Sequence, residues 1–319
     1  MKLSSVVPLL VALLAAAGSG RASAAENLTV GLSLFYGTNP YAVALENGAK
    51  EAVREWKAKG VNINMLVTNG GDTDTTKQVG DLEDLYAQGV KGVVVFPGDS
   101  VVISEPIKNI YNKNNIPVAV ADTGLNSGKW DYLVMSNNFD GGRRAAELVA
   151  KNVKPGASVM VFDTAPGVSV GQTRIKGFET RAKELGLKLL PRKTLKMSLE
   201  DGRRTMQDTL LSNPDVAGVF FINQVVAQGA YAALAEAKRT DVKLVAFDLD
   251  RVSYQMVKAG KILGLVVQDP YKIGYESMNA MAIRLTGAGL KMHENLLPTR
   301  VLTKDNAAEF QSDPQVVGK

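Results

Sequence analysis

Short apolar runs alternate with amphipathic segments along almost the whole chain. Residues 28–35 form the first such run, and its nearly continuous apolar character predicts a strand that is buried on both faces. Pro40 interrupts the run, Asn39 is a suitable helix N-cap, and an apolar stripe with helical spacing begins at Ala42. A strand, a short polar turn and a helix together predict the opening unit of a parallel α/β fold.

The same alternation predicts two successive series of strands and helices. The first series has strands at residues 28–35, 61–67, 92–96, 117–121 and 132–135. Its helices are predicted at 72–87, between Pro97-Gly98 and about residue 114, and at 140–151. The second series has strands at residues 158–162, 187–193, 219–222, 243–247 and 263–267, and helices at 173–185, 199–211, 227–237 and 271–285. A loop is predicted at residues 164–172, and a final extended segment at 296–303.

Two pairs of similar strands indicate an internal repeat. The stretch GVKGVVVFP in the first series resembles DVAGVFFIN in the second, and NIPVAVAD resembles DVKLVAFD. The sequence therefore predicts the α/β class, with two similar doubly wound lobes in which helices cover both faces of a parallel sheet.

The N-terminal 24 residues differ from the rest of the chain. Lys2 supplies a positive start, residues 6–17 form an apolar core, and Ala22-Ser23-Ala24 has the small-residue pattern of a cleavage site. These features predict a secretory signal peptide that is cleaved near Ala24. An uncleaved membrane anchor is the alternative, but the apolar core is short and small residues follow it.

The composition narrows the function classes further. The chain has no cysteine, which excludes disulfides, thiolate metal sites and cysteine catalysis. It also lacks the lipid-bearing cysteine that would tether an exported protein to a membrane, so we expect a protein that moves freely in a bacterial periplasm. The net charge of +5 comes from scattered basic residues, which argues against nucleic acid as a partner. The single histidine, His293, cannot supply a histidine metal cluster or a catalytic triad with a second histidine, and no phosphate-binding motif occurs. We therefore expect no cofactor.

Candidate ligand groups follow the predicted strands. Ligands of parallel α/β sheets bind beyond the carboxyl ends of the strands, which is where these polar residues lie. Each polar residue alone could be only a helix cap, but the set as a whole comes from both predicted lobes. With Arg174 and the ring of Tyr41, they offer hydrogen-bond donors, acceptors and an aromatic face, which suits a neutral polyhydroxylated ligand. The polar strand-end residues are Asn39, Asp122, Asn223, Asp248 and Gln268.

The chain from about residue 27 to its end resembles the periplasmic sugar-binding proteins of the ribose-binding family, which are solute receptors of ATP-binding-cassette importers. The matching stretches are TNPY, GVKGVVVFP, NIPVAVAD, SNNFDGG, GQTRIKGF, NPDVAGVFFIN, DVKLVAFD and VVQDPYKIG. The resemblance implies that sugar binds between two hinged lobes. It implies ligand contacts by Asn39, Tyr41, Asp122, Arg174, Asn223, Asp248 and Gln268.

Three positions depart from the pattern of ribose receptors. Ala42 replaces a second stacking aromatic residue, Thr123 replaces an arginine beside Asp122, and Met197 lies near the position of another aromatic residue. Thr123 and Met197 remain candidate ligand residues. These changes predict a ligand other than ribose, which is bulkier or carries an apolar substituent toward Ala42.

The resemblance also implies the domain organisation and the partners. Three chain crossings divide the protein into a signal peptide at residues 1–24, a first lobe at 25–136 plus 269–297, and a second lobe at 137–268 plus 298–319. We expect a monomeric, non-enzymatic periplasmic binding protein that delivers a monosaccharide or polyol to a membrane permease, with a chemoreceptor as a further candidate partner. The alternatives are a ligand-sensing protein, such as a chemoreceptor or repressor-like sensor domain, and a secreted carbohydrate enzyme that uses Asp122 and Asp248 as acid and base.

Overall fold

The computed structural model describes residues 26–70, 74–162, 169–289 and 293–318. The predicted signal peptide and its cleavage site near Ala24 lie outside the described residues. The same holds for the predicted helix start at residue 72 and for most of the predicted loop at 164–172.

Within the described ranges, the strands form two six-stranded sheets with the same strand order. In chain order, β1 to β12 are Glu26–Leu34, Val61–Asn69, Gly92–Val95, Val118–Ala121, Tyr132–Ser136, Ser158–Val161, Lys188–Leu189, Val216–Phe221, Lys243–Phe247, Gly264–Val267, Glu294–Leu297 and Arg300–Thr303. The first sheet has the order β2-β1-β3-β4-β5-β11, and the second has the order β7-β6-β8-β9-β10-β12. All neighbours are parallel except β10 and β12. The predicted fold class and the internal repeat are confirmed.

Helices cover both faces of each sheet. In chain order, α1 to α10 are Pro40–Ala58, Thr75–Ala87, Ser104–Pro106, Asn138–Ala150, Ser169–Glu184, Leu199–Ser212, Gln224–Glu236, Arg251–Lys258, Pro270–Leu285 and Pro314–Val317, and α3 continues as a π-helical stretch at Ile107–Asn112. Successive residues of the central strands pack into different cores, as alternation across a strand requires. Val94 packs with the helices α1 and α9, whereas Val93 and Val95 pack with α2. Phe221 and Phe220 divide in the same way between the two cores of the second lobe.

Some predicted boundaries are wrong. The strand predicted at residues 187–193 pairs only over Lys188–Leu189, because Pro191 has no N–H group to continue the ladder. The helix predicted from residue 173 already includes Ser169. The helix α8 was not predicted at all, and it starts at a capping box formed by Asp250.

Over the residues that the structure describes, the chain passes between the two sheets three times. It leaves the first sheet after β5 and enters α4, which packs on the second sheet, and it returns between β10 and α9. The predicted extended segment at 296–303 is in fact two strands, β11 in the first sheet and β12 in the second. The third crossing therefore lies between Leu297 and Arg300.

Two helices of the second lobe are packed at backbone contact distance. A Cβ atom on Gly142 of α4 would overlap with the carbonyl oxygen of Arg174 on α5, and a Cβ atom on Gly177 of α5 would overlap with that of Phe139. The absence of side chains at these two positions lets the helices approach closely. Because Arg174 is itself part of this contact, the packing also positions its side chain.

We predict that Gly142→Ala destabilises the protein, because the added methyl group can be accommodated only if the α4 and α5 backbones separate. Overpacking of this kind costs about 1–3 kcal/mol of unfolding free energy or more. Gly80→Ala is the matched control, since Gly80 also lies in a helix and has open space around its Cα. It should stabilise the protein by about 0.5–1 kcal/mol. Urea unfolding of both variants checks the prediction, and equal stability of the two would contradict it.

Candidate functional site

A cavity of about 300 Å³ lies where the carboxyl ends of both sheets meet. Residues from both lobes line it. All nine residues that the sequence analysis singled out are among them: Asn39, Tyr41, Asp122, Thr123, Arg174, Met197, Asn223, Asp248 and Gln268.

The two aspartates end equivalent strands in the same unusual backbone conformation. Asp122 follows β4 with φ of 65°, and Asp248 follows β9 with φ of 73°. In each case the aspartate N–H still bonds to the next strand, donating to the carbonyl of Val134 over 2.7 Å and of Val266 over 2.9 Å. Aspartate tolerates the left-handed region better than most residues. The internal repeat therefore extends to the backbone geometry of the cavity.

In the first lobe, the Asp122 carboxylate is held by two hydroxyl groups. Tyr41 Oη donates to Oδ1 over 2.5 Å, and Thr123 Oγ1 donates to Oδ2 over 3.1 Å. The Tyr41 ring also packs on Phe96, with 5.9 Å between the ring centroids. The tyrosine is therefore fixed both by its hydroxyl group and by its ring.

Burial perturbs the acid–base behaviour of this pair. It raises the pKa of Asp122 above the ordinary aspartate value, although the Tyr41 hydrogen bond and the charge of Arg174 oppose the shift. Burial also raises the pKa of Tyr41 well above its usual value, and the neighbouring Asp122 carboxylate adds to this effect. Tyr41 consequently remains a neutral hydrogen-bond donor at physiological pH.

In the second lobe, the buried guanidinium of Arg174 is surrounded by protein acceptors. Its Nε donates to Asn138 Oδ1 over 2.8 Å, and its Nη1 donates to the Ile222 carbonyl over 2.9 Å. Nη1 also lies 3.5 Å from Asp248 Oδ2, a long ion-pair contact. The guanidinium carbon stacks 3.7 Å from the ring centroid of Phe247.

Gln268 connects this charge pair to the crossing between β10 and α9. Its Nε2 donates to Asp248 Oδ1 over 2.6 Å, so both carboxylate oxygens of Asp248 have a protein partner. The backbone carbonyl of Gln268 accepts a bond from Gln315 Nε2 over 3.3 Å. The side chain of Gln268 is almost fully buried, and its Oε1 has no hydrogen-bond partner among the described residues.

The two asparagines are helix caps and cavity residues at the same time. Asn39 Oδ1 accepts from the backbone N–H of Tyr41 over 2.9 Å at the start of α1, and Asn223 Oδ1 accepts from that of Val225 over 2.8 Å at the start of α7. Because the cap occupies the oxygen, the Nδ2 group of each asparagine is the part left to act on a ligand.

Apolar side chains complete the walls, and the sequence analysis missed most of them. Tyr36, Phe96, Val170 and Leu249 line the cavity beside Met197, which is 40% exposed. Three of these also follow a strand end: Tyr36 after β1, Phe96 after β3 and Leu249 after β9. The criterion that identified the polar residues, a position at the carboxyl end of a strand, would therefore have identified these three apolar residues too.

The predicted apolar contact between the ligand and Ala42 is wrong, because Ala42 is not among the residues that line the cavity. Ala42 is fully buried and packs in the first-lobe core with Leu45 and Met278. Its methyl group faces the sheet because it lies on the apolar stripe of α1, whereas Tyr41 lies on the side of the cavity.

The arrangement suits binding of a neutral ligand rich in hydroxyl groups. It presents acceptors on Asp122 and Asp248 and donors on Arg174 and the two asparagines, and a hydroxyl group uses both kinds of partner. The described residues contain no group of three or more histidine, cysteine or acidic side chains arranged to hold a metal ion. No described helix is long and apolar enough to cross a membrane.

Comparison with known proteins identifies the family. The periplasmic binding protein domain matches residues 30–289. The ribose import binding protein of Bacillus subtilis is 30% identical over 249 residues, which cover 78% of this chain and 79% of the relative. The ribose import binding protein of Escherichia coli is 29% identical over 265 residues, which cover 83% of this chain and 87% of the relative.

Solved structures show the same fold. A carbohydrate transporter solute-binding protein from Agrobacterium radiobacter, in complex with D-arabinose, has a TM-score of 0.75 and 28% identity, covering 93% of this chain and 99% of that one. A periplasmic ribose ABC transporter protein from Conexibacter woesei has a TM-score of 0.81 at 20% identity, and the match covers 92% of this chain and 97% of that one. The chain is thus a two-lobed member of the periplasmic binding protein family.

Proposed function

We propose that this protein captures a monosaccharide or a related polyol in the cavity between its lobes and delivers it to the permease of an ATP-binding-cassette importer. The observation that carries the proposal is the cavity itself, in which two lobes contribute hydrogen-bond donors, acceptors and aromatic rings around a space of about 300 Å³. That volume is at the lower end of ordinary small-molecule sites and suits a monosaccharide.

The relatives support the same function. Those from B. subtilis and E. coli are ribose import binding proteins, and the A. radiobacter neighbour binds D-arabinose. We propose that the nine cavity residues contact the ligand, with Asp122 and Asp248 accepting from its hydroxyl groups and Arg174 donating to them. Export through a signal peptide cleaved near Ala24, a periplasmic location and a monomeric state belong to the same proposal.

We further propose that the lobes move relative to each other about the three crossings. The first lobe would comprise residues 25–136 and 269–297, and the second 137–268 and 298–319. One direct contact joins the two proposed lobes close in sequence to the cavity-lining Gly98 and Val170: the Ser100 and Ser169 hydroxyl oxygens lie 2.9 Å apart. A ligand that contacts both lobes binds the closed arrangement better and must shift the population toward it.

Binding without catalysis is favoured by the state of the two carboxylates. Asp122 and Asp248 each accept two bonds from neighbouring side chains, which supports a role as fixed acceptors rather than as an acid–base pair. Incubation with a panel of pentoses, hexoses, deoxyhexoses, inositols and linear polyols tests this. We expect one or more to stabilise the protein thermally and to be recovered unchanged. No response to the whole panel would contradict the proposal.

We predict that Asp248→Asn weakens binding of the tightest panel ligand by about 10- to 100-fold, because hydrogen bonds to charged groups contribute about 1.5–3 kcal/mol. Isothermal titration calorimetry measures the change. Asp241→Asn is the control, since Asp241 pairs with Arg239 on the exposed surface of the same lobe. Unchanged affinity in Asp248→Asn would remove this residue from the site.

We predict that Asp122→Asn has opposite effects on stability and on binding. The folded-state pKa of Asp122 is raised, so its contribution to stability is present below the unfolded pKa and is lost as the pH rises through the folded value. A neutral asparagine, which tolerates the left-handed backbone well, avoids that loss.

The ligand-free Asp122→Asn variant should therefore melt at a higher temperature than the wild type at pH 7, and the two should converge below about pH 4. Its affinity for the tightest panel ligand should fall at least about tenfold. Scanning calorimetry at both pH values checks the sign. A variant that melts lower at pH 7 would contradict the buried-charge argument.

We predict that saturating ligand reduces the radius of gyration in solution scattering, because it favours the closed lobes. The Asp248→Asn variant at the same ligand concentration serves as the control and should show a smaller change. An unchanged radius in the saturated wild type would exclude a hinge motion coupled to binding.

A further inference from the structure

The hydroxyl group of Tyr41 joins the start of α1 to the end of β4 at the cavity. Its Oη donates to Asp122 Oδ1 over 2.5 Å, a length typical of an O–H group bonded to an ionised carboxylate. Both residues line the cavity, and 81 positions separate them in the sequence. The contact therefore exists only because the fold brings the two elements together.

Tyr41 is held at its backbone, its ring and its hydroxyl group, so the direction of the hydroxyl group is fixed. Its backbone N–H donates to Asn39, the N-cap of α1, and Pro40 precedes it in the first helical turn. Its ring packs on Phe96. An ionised carboxylate only accepts hydrogen bonds, so the phenol is the donor in its bond to Asp122.

Among the described residues, Asp122 has hydroxyl groups rather than a cation as the direct partners of its carboxylate. Thr123 Oγ1 donates to Oδ2 over 3.1 Å, and Asp122 is only 6% exposed. Asp248, by contrast, has the Nη1 of Arg174 at 3.5 Å from its Oδ2. A buried carboxylate is costly to ionise unless hydrogen bonds or opposite charges compensate, so the ionised form of Asp122 depends on its hydroxyl donors.

The ionisable groups that act on the Asp122 carboxyl group come from three elements of the described chain: Tyr41 on α1, Arg174 on α5 and Asp248 after β9. Burial has the largest effect and raises the pKa of Asp122, and the Asp248 charge adds to it. The Tyr41 hydrogen bond is the strongest opposing influence on this pKa, ahead of the Arg174 charge and the Thr123 hydroxyl group. Loss of the Tyr41 hydroxyl group would therefore raise the pKa of Asp122 further.

We propose that the Tyr41 hydroxyl group is a positioning group for Asp122, which keeps the carboxylate ionised and turned so that one acceptor position on each oxygen remains for ligand hydroxyl groups. A carboxylate has about four acceptor positions, and Tyr41 and Thr123 each occupy one of them on different oxygens. A protonated carboxyl group would offer fewer acceptors. This role is additional to the proposed contact of the Tyr41 ring with the ligand, and it rests on the proposed function.

The test compares the pH dependence of ligand affinity in the wild type and in Tyr41→Phe, which keeps the ring and removes only the hydroxyl group. Titration calorimetry with the tightest-binding panel member covers the range from about pH 4 to about pH 8. Affinity should fall on the acid side as Asp122 binds a proton. The midpoint of this fall should lie about one pH unit or more higher in Tyr41→Phe, because the variant lacks a hydrogen bond to the charged form.

Tyr275→Phe is the matched control. Tyr275 Oη donates to Glu55 Oε2 over 2.7 Å, between α9 and the same helix α1 that carries Tyr41, and Tyr275 is not among the residues that line the cavity. Its affinity should stay within about twofold of the wild type at every pH. Thr123→Val removes the second hydroxyl donor and should move the midpoint in the same direction as Tyr41→Phe but by less. It replaces Tyr41→Phe if circular dichroism shows that the latter does not fold.

NMR titration of the ligand-free protein measures the effect on Asp122 directly. With the aspartate carboxyl carbons isotope-labelled, the Asp122 signal is the one that is absent from the spectrum of Asp122→Asn. Its titration midpoint should lie about one pH unit or more higher in Tyr41→Phe than in the wild type. Because no ligand is present, this measurement separates the effect on the carboxylate from the loss of a direct ligand contact.

The possible failures are separable. Equal midpoints in the wild type and Tyr41→Phe, by calorimetry or by NMR, would overturn the inference, even if the variant bound ligand more weakly at every pH. A shift that Tyr41→Phe still produces in an Asp122→Asn background would also overturn it, because the hydroxyl group would then act through another residue. In these cases ligand still binds the wild type, so the proposed function would stand. If no panel member binds the wild type, the proposed function fails and this inference fails with it.

Discussion

The cavity depends on one buried charge, the guanidinium of Arg174. A charge removed from water is costly unless hydrogen bonds and an opposite charge compensate for it. Here Asn138, the Ile222 carbonyl and Asp248 supply this compensation, and Phe247 covers the guanidinium face. Asp248 in turn fixes Gln268 at the crossing between the lobes. The ion therefore organises the second lobe before any ligand arrives, and preorganisation of this kind lowers the entropic cost of binding.

Structural roles decide which chemical groups the site presents. Asn39 and Asn223 use their oxygens as helix caps and so offer their NH₂ groups as donors, whereas Gln268 uses its NH₂ group to hold Asp248 in place. Capping and ligand binding are thus not alternatives for these residues. The cap determines which end of the amide faces the ligand, because each end can serve only one kind of partner.

The sequence predicted the fold and the polar frame of the site because both follow from local patterns. Buried parallel strands are continuous apolar runs, and their carboxyl ends meet at one edge. What it did not predict depends on contacts distant in sequence. Asn138 matters only through Arg174 on another helix, and Gln268 matters through Asp248 on another strand end. The short strand at Lys188–Leu189 was recoverable, since Pro191 marks its end.

A protein whose cavity binds a neutral compound rich in hydroxyl groups should carry that compound through purification. The most direct measurement is mass spectrometry of the small molecule released when the protein, purified without added ligand from cells grown on a mixed carbon source, is denatured. We expect a monosaccharide or polyol in the wild-type sample and a greatly reduced amount in the Asp248→Asn sample. Release of an anion, an amino acid or an apolar compound in its place would contradict it.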